Sequence, residues 1–163
     1  MACIICSKKP YFNSMCRRCF NNYFIKKTRR DIRLNDLFRR NDSVFVNDNK
    51  DAQSFAAKWV VENMEMPLKF SRKGKKIVGT SMENEISGFM KSILENKKPG
   101  KSREIKLLAN MQLGEIYAFA KMKGYKGKEA ELDEIQEMVE RIEKKHSTTK
   151  TALYKSVKAL KSL

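Results

Sequence analysis

Two Cys-x-x-Cys pairs, Cys3-Ile4-Ile5-Cys6 and Cys16-Arg17-Arg18-Cys19, account for every cysteine in the chain. Each pair lets two thiolates of one tight turn face a common point, and the nine residues between the pairs bring the second turn opposite the first. That spacing folds a short ribbon around one tetrahedral Zn²⁺. Two disulfides are the competing reading, but a redox CxxC stands alone, whereas paired CxxC in a reducing compartment reads as a metal site. The expectation is one structural zinc held by Cys3, Cys6, Cys16 and Cys19. With all four thiols so engaged, none is left elsewhere as a nucleophile, a disulfide partner or a ligand of an iron–sulfur cluster.

The chain has 163 residues, of which 41% are hydrophobic, enough for one modest core beside the metal module. The expected division is 1–40 for the zinc ribbon with a basic helix and 41–163 for the main domain. No apolar run approaches a membrane span and no signal peptide opens the chain, so a cytoplasmic protein with no membrane contact is expected. The net charge is +16, from 35 basic and 19 acidic residues. Residues 1–40 carry eleven Lys or Arg against only Asp31 and Asp36, so over half of the excess coincides with the ribbon. A patch that dense attracts phosphate backbones by releasing their counterions. Tyr11, Phe12, Phe20, Tyr23 and Phe24 interleave with the cations, which favours nucleic acid over a merely solvated face. The first candidates are Arg17, Arg18, Lys26, Lys27, Arg29, Arg30 and Arg33. RNA fits better than duplex DNA, because nothing resembles a recognition helix. The dispersed lysines of the C-terminal half read as a solvated surface.

Helix periodicity covers residues 17–38, where Phe20, Phe24 and Ile32 lie near four-residue spacing. Val44-Phe45-Val46 reads as a short strand, Asn47 to Asp51 as a polar turn, and 51–64 as a helix with Phe55, Ala56, Trp59 and Val60 on its apolar face. A strand over 67–71, a basic loop 72–76 and a strand 77–79 follow. Thr80-Ser81 caps a helix 82–95, and a loop 96–102 turns at Pro99-Gly100. Ile105 to Leu108 is extended or a short turn. Helices are expected over 112–123, 128–146 and 148–161. The seven acids from Glu129 to Glu143 read as a solvated outer face. His146 reads as an ordinary helix-end residue. The outcome is an α/β domain whose three strands make a short sheet, or one completed by a partner.

The order of these features resembles the tRNA wobble-uridine 2-thiolation family of the PP-loop ATP-pyrophosphatase superfamily. The resemblance rests on Cys16-Arg17-Arg18-Cys19-Phe20, on Tyr23-Phe24 with Lys27 to Arg30, and on Leu37-Phe38 with Val44-Phe45-Val46. Val78-Gly79-Thr80-Ser81-Met82-Glu83-Asn84-Glu85 stands where the family has a strand and a GHNxDD-type segment, and Leu113-Gly114-Glu115-Ile116-Tyr117-Ala118 resembles a later family helix. It implies an N-terminal zinc ribbon followed by a truncated, degenerate PP-loop (Rossmann-like) domain with a helical C-terminal part.

The departures are concentrated in the chemistry. The family's ATP loop reads SGGKDS, and its glycines let backbone N–H groups approach phosphates. Here the aligned residues are Asn47, Asp48, Asn49, Lys50 and Asp51, without either glycine. Asp48 and Asp51 could hold Mg²⁺, though an Asn- and Asp-rich turn needs no metal to explain it. The cysteines that a catalytic thiolase uses after this loop are missing. The resemblance therefore implies a non-catalytic, tRNA-binding scaffold, similar to the accessory subunit that pairs with a catalytic thiolase. An independent zinc-ribbon RNA-binding or ribosome-associated protein is the alternative, and an enzyme using Lys50, Asp51 and Glu83 with ATP is a third reading.

Overall fold

The computed structural model describes residues 2–97 and 103–161; the turn expected at Pro99-Gly100 lies outside them. Six helices and four strands follow in the order α1 (Arg17–Leu34), β1 (Ser43–Val46), α2 (Ala52–Glu62), β2 (Lys69–Phe70), β3 (Lys75–Gly79), α3 (Met82–Leu94), β4 (Ile105–Leu107), α4 (Leu113–Met122), α5 (Glu134–Lys145) and α6 (Thr149–Lys161).

The strands form one sheet in the order β2-β1-β3-β4, parallel throughout. Ile105–Leu107 thus supplies a fourth strand, paired to β3 with Gly79 opposite Leu107. The expectation of three strands is corrected by this pairing, which three residues are too few to announce by alternation. Val44, Ile77 and Leu107 are fully buried in the middle of the sheet, as parallel strands covered on both faces require.

Between β2 and β3 there is no helix. The chain crosses the start of β1 in four residues, Ser71 to Gly74, with Ser71 N–H donating to Val44 O and Gly74 N–H to Ser71 O. A Cβ on Gly74 would lie 2.5 Å from the Ser43 carbonyl and the Val44 nitrogen. Only glycine lets the strap pass that close.

Helix ends follow local chemistry. Asn35 and Asp36 stop α1 four residues before its expected end: Asp36 takes a φ of +44° and Leu37 N–H reaches back to Ile32 O, a Schellman closure. Asp133 caps α5 by accepting from Gln136 N–H at 2.9 Å, while Gln136 Oε1 accepts from Asp133 N–H at 3.0 Å. This capping box starts α5 six residues later than the expected 128.

Two apolar clusters hold the elements. In one, Phe24 of α1 stacks on Phe119 of α4 with centroids 3.9 Å apart, and Trp59 meets Phe119 edge-on at 5.3 Å. In the other, Met82, Ile86 and Phe89 of α3 meet Val139 of α5 and Val157 of α6. The acids of residues 129–143 were expected to form a solvated outer face, and Asp133 and Glu140 depart from it. Asp133 accepts from Ser87 and Lys91, each at 2.7 Å, and Glu140 pairs with buried Lys150. Among the described residues, no helix is long and apolar enough to cross a membrane.

Candidate metal centre and nucleic-acid interface

The first knuckle closes when Ser7 N–H donates to Cys3 O, and Ile4 N–H donates to Ser14 O to draw the second knuckle alongside. Cys16 is the N-cap of α1 and Cys19 stands in its first turn, so two of the four sulfurs meet the positive end of a helix, where thiolates are favoured. The four sulfurs lie within 4.8 Å of one another, with Cys6 to Cys16 at 3.4 Å and Cys6 to Cys19 at 3.5 Å. Four thiolates around one ion at a bond length of about 2.3 Å stand about 3.8 Å apart. The spacing of the cluster fits a single tetrahedral ion. The thiols are not equivalent. The Ile5 N–H pulls Cys3 down to about 6, the Cys19 N–H lowers Cys16, and the Cys6 sulfur pushes Cys19 up to about 12.

The ribbon is fastened to the α/β layer. Tyr11 OH donates to Ala118 O at 2.8 Å, and Phe12 packs on Phe20 at 5.1 Å. Helix α1 buries Phe20, Phe24, Thr28 and Ile32, a strict four-residue stripe. The seven cations proposed from sequence separate around this helix. Arg17 and Arg18 are exposed beside the thiols, Arg17 lying over the Tyr11 ring at 5.1 Å. Lys26, Arg30 and Arg33 are exposed and Arg29 is partly so. Lys27 is turned inward: its Nζ donates to Glu115 Oε2 and to Tyr23 OH, both at 3.0 Å. Burial opposes the Lys27 charge, yet Glu115 and Tyr23 hold its pKa above the ordinary lysine value. Arg40, absent from the sequence candidates, lines the same groove as Lys26, Arg29, Arg30 and Arg33. Its signal was available, since Arg39-Arg40 ends the same basic run.

The second feature lies at the C-terminal ends of β1 and β3. Strand order reverses there, because β1 leads through α2 to β2 on one side while β3 and β4 lie on the other. In open parallel sheets such a switch point is where ligands bind. The start of α2 approaches so closely that a Cβ on Gly79 would lie 2.3 Å from Gln53 O. The loop 47–51 is closed by its own side chains. Asp48 Oδ1 accepts from Lys50 N–H at 2.9 Å, Asp51 Oδ1 accepts from Ser54 N–H at 2.7 Å, and Asn49 N–H donates to Ser54 Oγ at 3.2 Å. Asp51 is the N-cap of α2. Ser81 caps α3 in the same way, and Asn84 Nδ2 links the two helix starts through Gln53 Oε1 at 2.9 Å.

The acids of Glu83-Asn84-Glu85 are also committed. Glu83 pairs with Lys150 at 2.9 Å in a fully buried contact and accepts from Leu113 N–H at 2.8 Å. Glu85 pairs with Lys106 and Lys161; burial would raise its pKa, and the two ammonium groups bring it below the ordinary value. Glu83 thus ties α3 to α4 and α6, and Glu85 ties it to β4 and α6.

No family model matches the chain, and no curated protein matches its sequence. A solved structure does match. It is the U34-tRNA thiolase NcsA from Methanococcus maripaludis, determined with its [4Fe-4S] cluster. The two share 14% sequence identity with a TM-score of 0.78, over 99% of this chain and 87% of that one. This chain shares that structure's fold. This bears out the α/β, PP-loop-like architecture with its N-terminal cysteine cluster. The expectation of an inactive homologue is corrected by the same finding: nearly the whole chain is matched by the fold of a protein that is itself a thiolase, so neither length nor sheet sets it apart from a catalytic one.

Proposed function

We propose that this chain belongs to the tRNA wobble-uridine thiolation family and acts on tRNA in 2-thiolation. The observation that supports it most is the fold likeness over 99% of the chain, coinciding with an exposed cationic stripe next to a four-thiol cluster. A single structural Zn²⁺ on Cys3, Cys6, Cys16 and Cys19 locks the ribbon and sets the start of α1. Arg17, Arg18, Lys26, Arg29, Arg30 and Arg33 then face the tRNA phosphates, whereas Lys27 contributes by holding α1 to α4 through Glu115. The switch-point crevice is where the reacting nucleotide is received. All four cysteines are spent on the ion, so the sulfur that replaces the uridine oxygen comes from a donor other than this chain's thiols.

Depletion of the protein in its native cell, with 2-thiouridine quantified by mass spectrometry of digested tRNA, tests this reading. A fall in 2-thiouridine at the wobble position, restored by re-expression and not by an Arg29→Glu/Arg30→Glu variant, is the expected result. An unchanged level of the modification overturns it.

A further inference from the structure

A groove of about 780 Å³ lies between α1 and the segment 64–67 that leads from α2 to β2. Its volume falls within the range of about 300–1,000 Å³ typical of small-ligand sites. Lys26, Arg29, Arg30 and Arg33 stand at i, i+3, i+4 and i+7 along α1, and therefore on one helix face. They form one wall, with Arg40 added beyond the helix end. Ile32, Met64 and Met66 give the groove its apolar lining. Ile32 is buried and the two methionines are half-buried against the core. The one carboxylate present, Glu65, is 90% exposed and 3.7 Å from Arg29, a contact that a competing anion displaces at little cost.

Five cations around two thioethers and an isoleucine ask for a ligand that is anionic at its edges and flat and apolar in its middle. A free phosphate would leave the apolar lining unused, and an apolar helix would leave the cations unpaired. We propose that this groove holds one unstacked nucleotide of a single-stranded RNA segment, its base against Met64 and Met66 and its flanking phosphates on Arg30, Arg33 and Arg40. Thioethers are polarizable and favour contact with aromatic rings, and guanidinium groups add stacking as well as charge. Unpaired bases in loops are the parts of an RNA that can be splayed into such a site. The inference rests on the tRNA reading above but concerns a different observable, the place where an unpaired base is bound.

The test uses the full-length protein and short oligonucleotides. Anisotropy titrations compare single-stranded hexauridylate with an abasic hexamer carrying the same phosphates, and 4-thiouridine placed in the hexamer maps the contact by photocrosslinking and peptide mass spectrometry. Hexauridylate is expected to bind roughly tenfold more tightly than the abasic strand, in line with one base in contact with two thioethers. Crosslinks are expected in the peptides carrying Met64, Met66 or Lys26 to Arg33. Met64→Gln/Met66→Gln should erase the preference for the base while keeping the salt dependence. Arg33→Ala/Arg40→Ala should lower the salt slope by about 0.7 per lost phosphate contact. Equal affinity for the two wild-type ligands, or crosslinks confined to other peptides, overturns the inference without needing any variant. Preferential binding of an acidic peptide over hexauridylate overturns it as well. Loss of wobble 2-thiouridine on depletion would still stand, so the two failures are distinguishable.

Discussion

Replacing Lys150 by Met removes a charge shared by two carboxylates, partly exposed Glu140 and Glu83, of which Glu83 has no water to turn to. The Glu83 side chain is fully buried and that of Lys150 is 5% exposed, with Nζ 2.9 Å from Oε1. Without the ammonium, the Glu83 carboxylate keeps one donor, Leu113 N–H at 2.8 Å. Breaking one side of a buried pair costs about 3–5 kcal/mol, because the remaining charge is stranded. Methionine approximates the volume of the lysine stem, so the packing loss stays small beside that cost. For a chain of this length the melting temperature should fall by roughly 6–20 °C. The double variant Glu83→Gln/Lys150→Met lets a neutral amide oxygen keep Leu113 N–H, and it should recover most of the loss. Urea unfolding followed by circular dichroism, with the m-value checked for constancy, gives all corners of the cycle. A Lys150→Met variant within about 1 kcal/mol of wild type, well under the cost of a stranded charge, would refute the argument. So would a double variant no more stable than the single one.

Other outcomes follow from single contacts. Gly74→Ala should abolish folding or cost more than about 3 kcal/mol, since its Cβ would sit 2.5 Å from the Ser43–Val44 peptide; soluble yield and thermal melts check it. Burial would raise the Asp133 carboxyl, but Lys91, Ser87 and the Gln136 N–H bring it to about 2, so its contribution is present above the unfolded value of 3.8 and is lost as pH falls through about 2. Screening at a site about one-third exposed leaves about 1 kcal/mol of that, and acid unfolding curves of Asp133→Asn against wild type should converge near pH 2. Cys16→Ser, or a strong chelator, should release one equivalent of zinc and loosen the ribbon and the start of α1, read by elemental analysis and hydrogen exchange; metal retained in the variant, or iron in its place, contradicts the assignment.

The metal site was legible because four cysteines at fixed spacing leave few alternatives, and the sulfurs converge without any help from tertiary detail. The helices were legible from four-residue stripes such as Phe20, Phe24 and Ile32. The fourth strand was not, because Ile105–Leu107 owes its extended form to pairing with β3 and not to its own pattern. Helix ends were missed where a capping side chain, such as Asp133, outweighed the periodicity around it. The expectation that the chain is not an enzyme had a different origin. It rested on an ATP loop without glycines, on the absence of cysteines after that loop and on a sheet expected to be short. The strap at Gly74 shows how four residues can replace a helix while every strand keeps its parallel partner.

The basic helix carries two codes on one cylinder, and their overlap explains why Lys27 and Lys26, adjacent in sequence, have opposite fates. Positions 20, 24, 28 and 32 are buried, and Lys27 flanks that stripe near Glu115, so its ammonium serves as a clasp to α4. Positions 26, 29, 30 and 33 fall away from the stripe toward the segment 64–67. A count of charges weights all these residues equally, whereas the angle around the helix assigns each one. The cysteine ribbon fixes where that angle begins, because Cys16 and Cys19 are themselves the N-cap and first turn of α1. Loss of the ion would therefore disturb the start of the helix whose later turns carry Arg29, Arg30 and Arg33, although no ligand to the metal touches the groove. That dependence is why metal content and RNA affinity should fall together in Cys16→Ser, and why Lys27→Met should cost stability through Glu115 while leaving the salt slope of RNA binding unchanged.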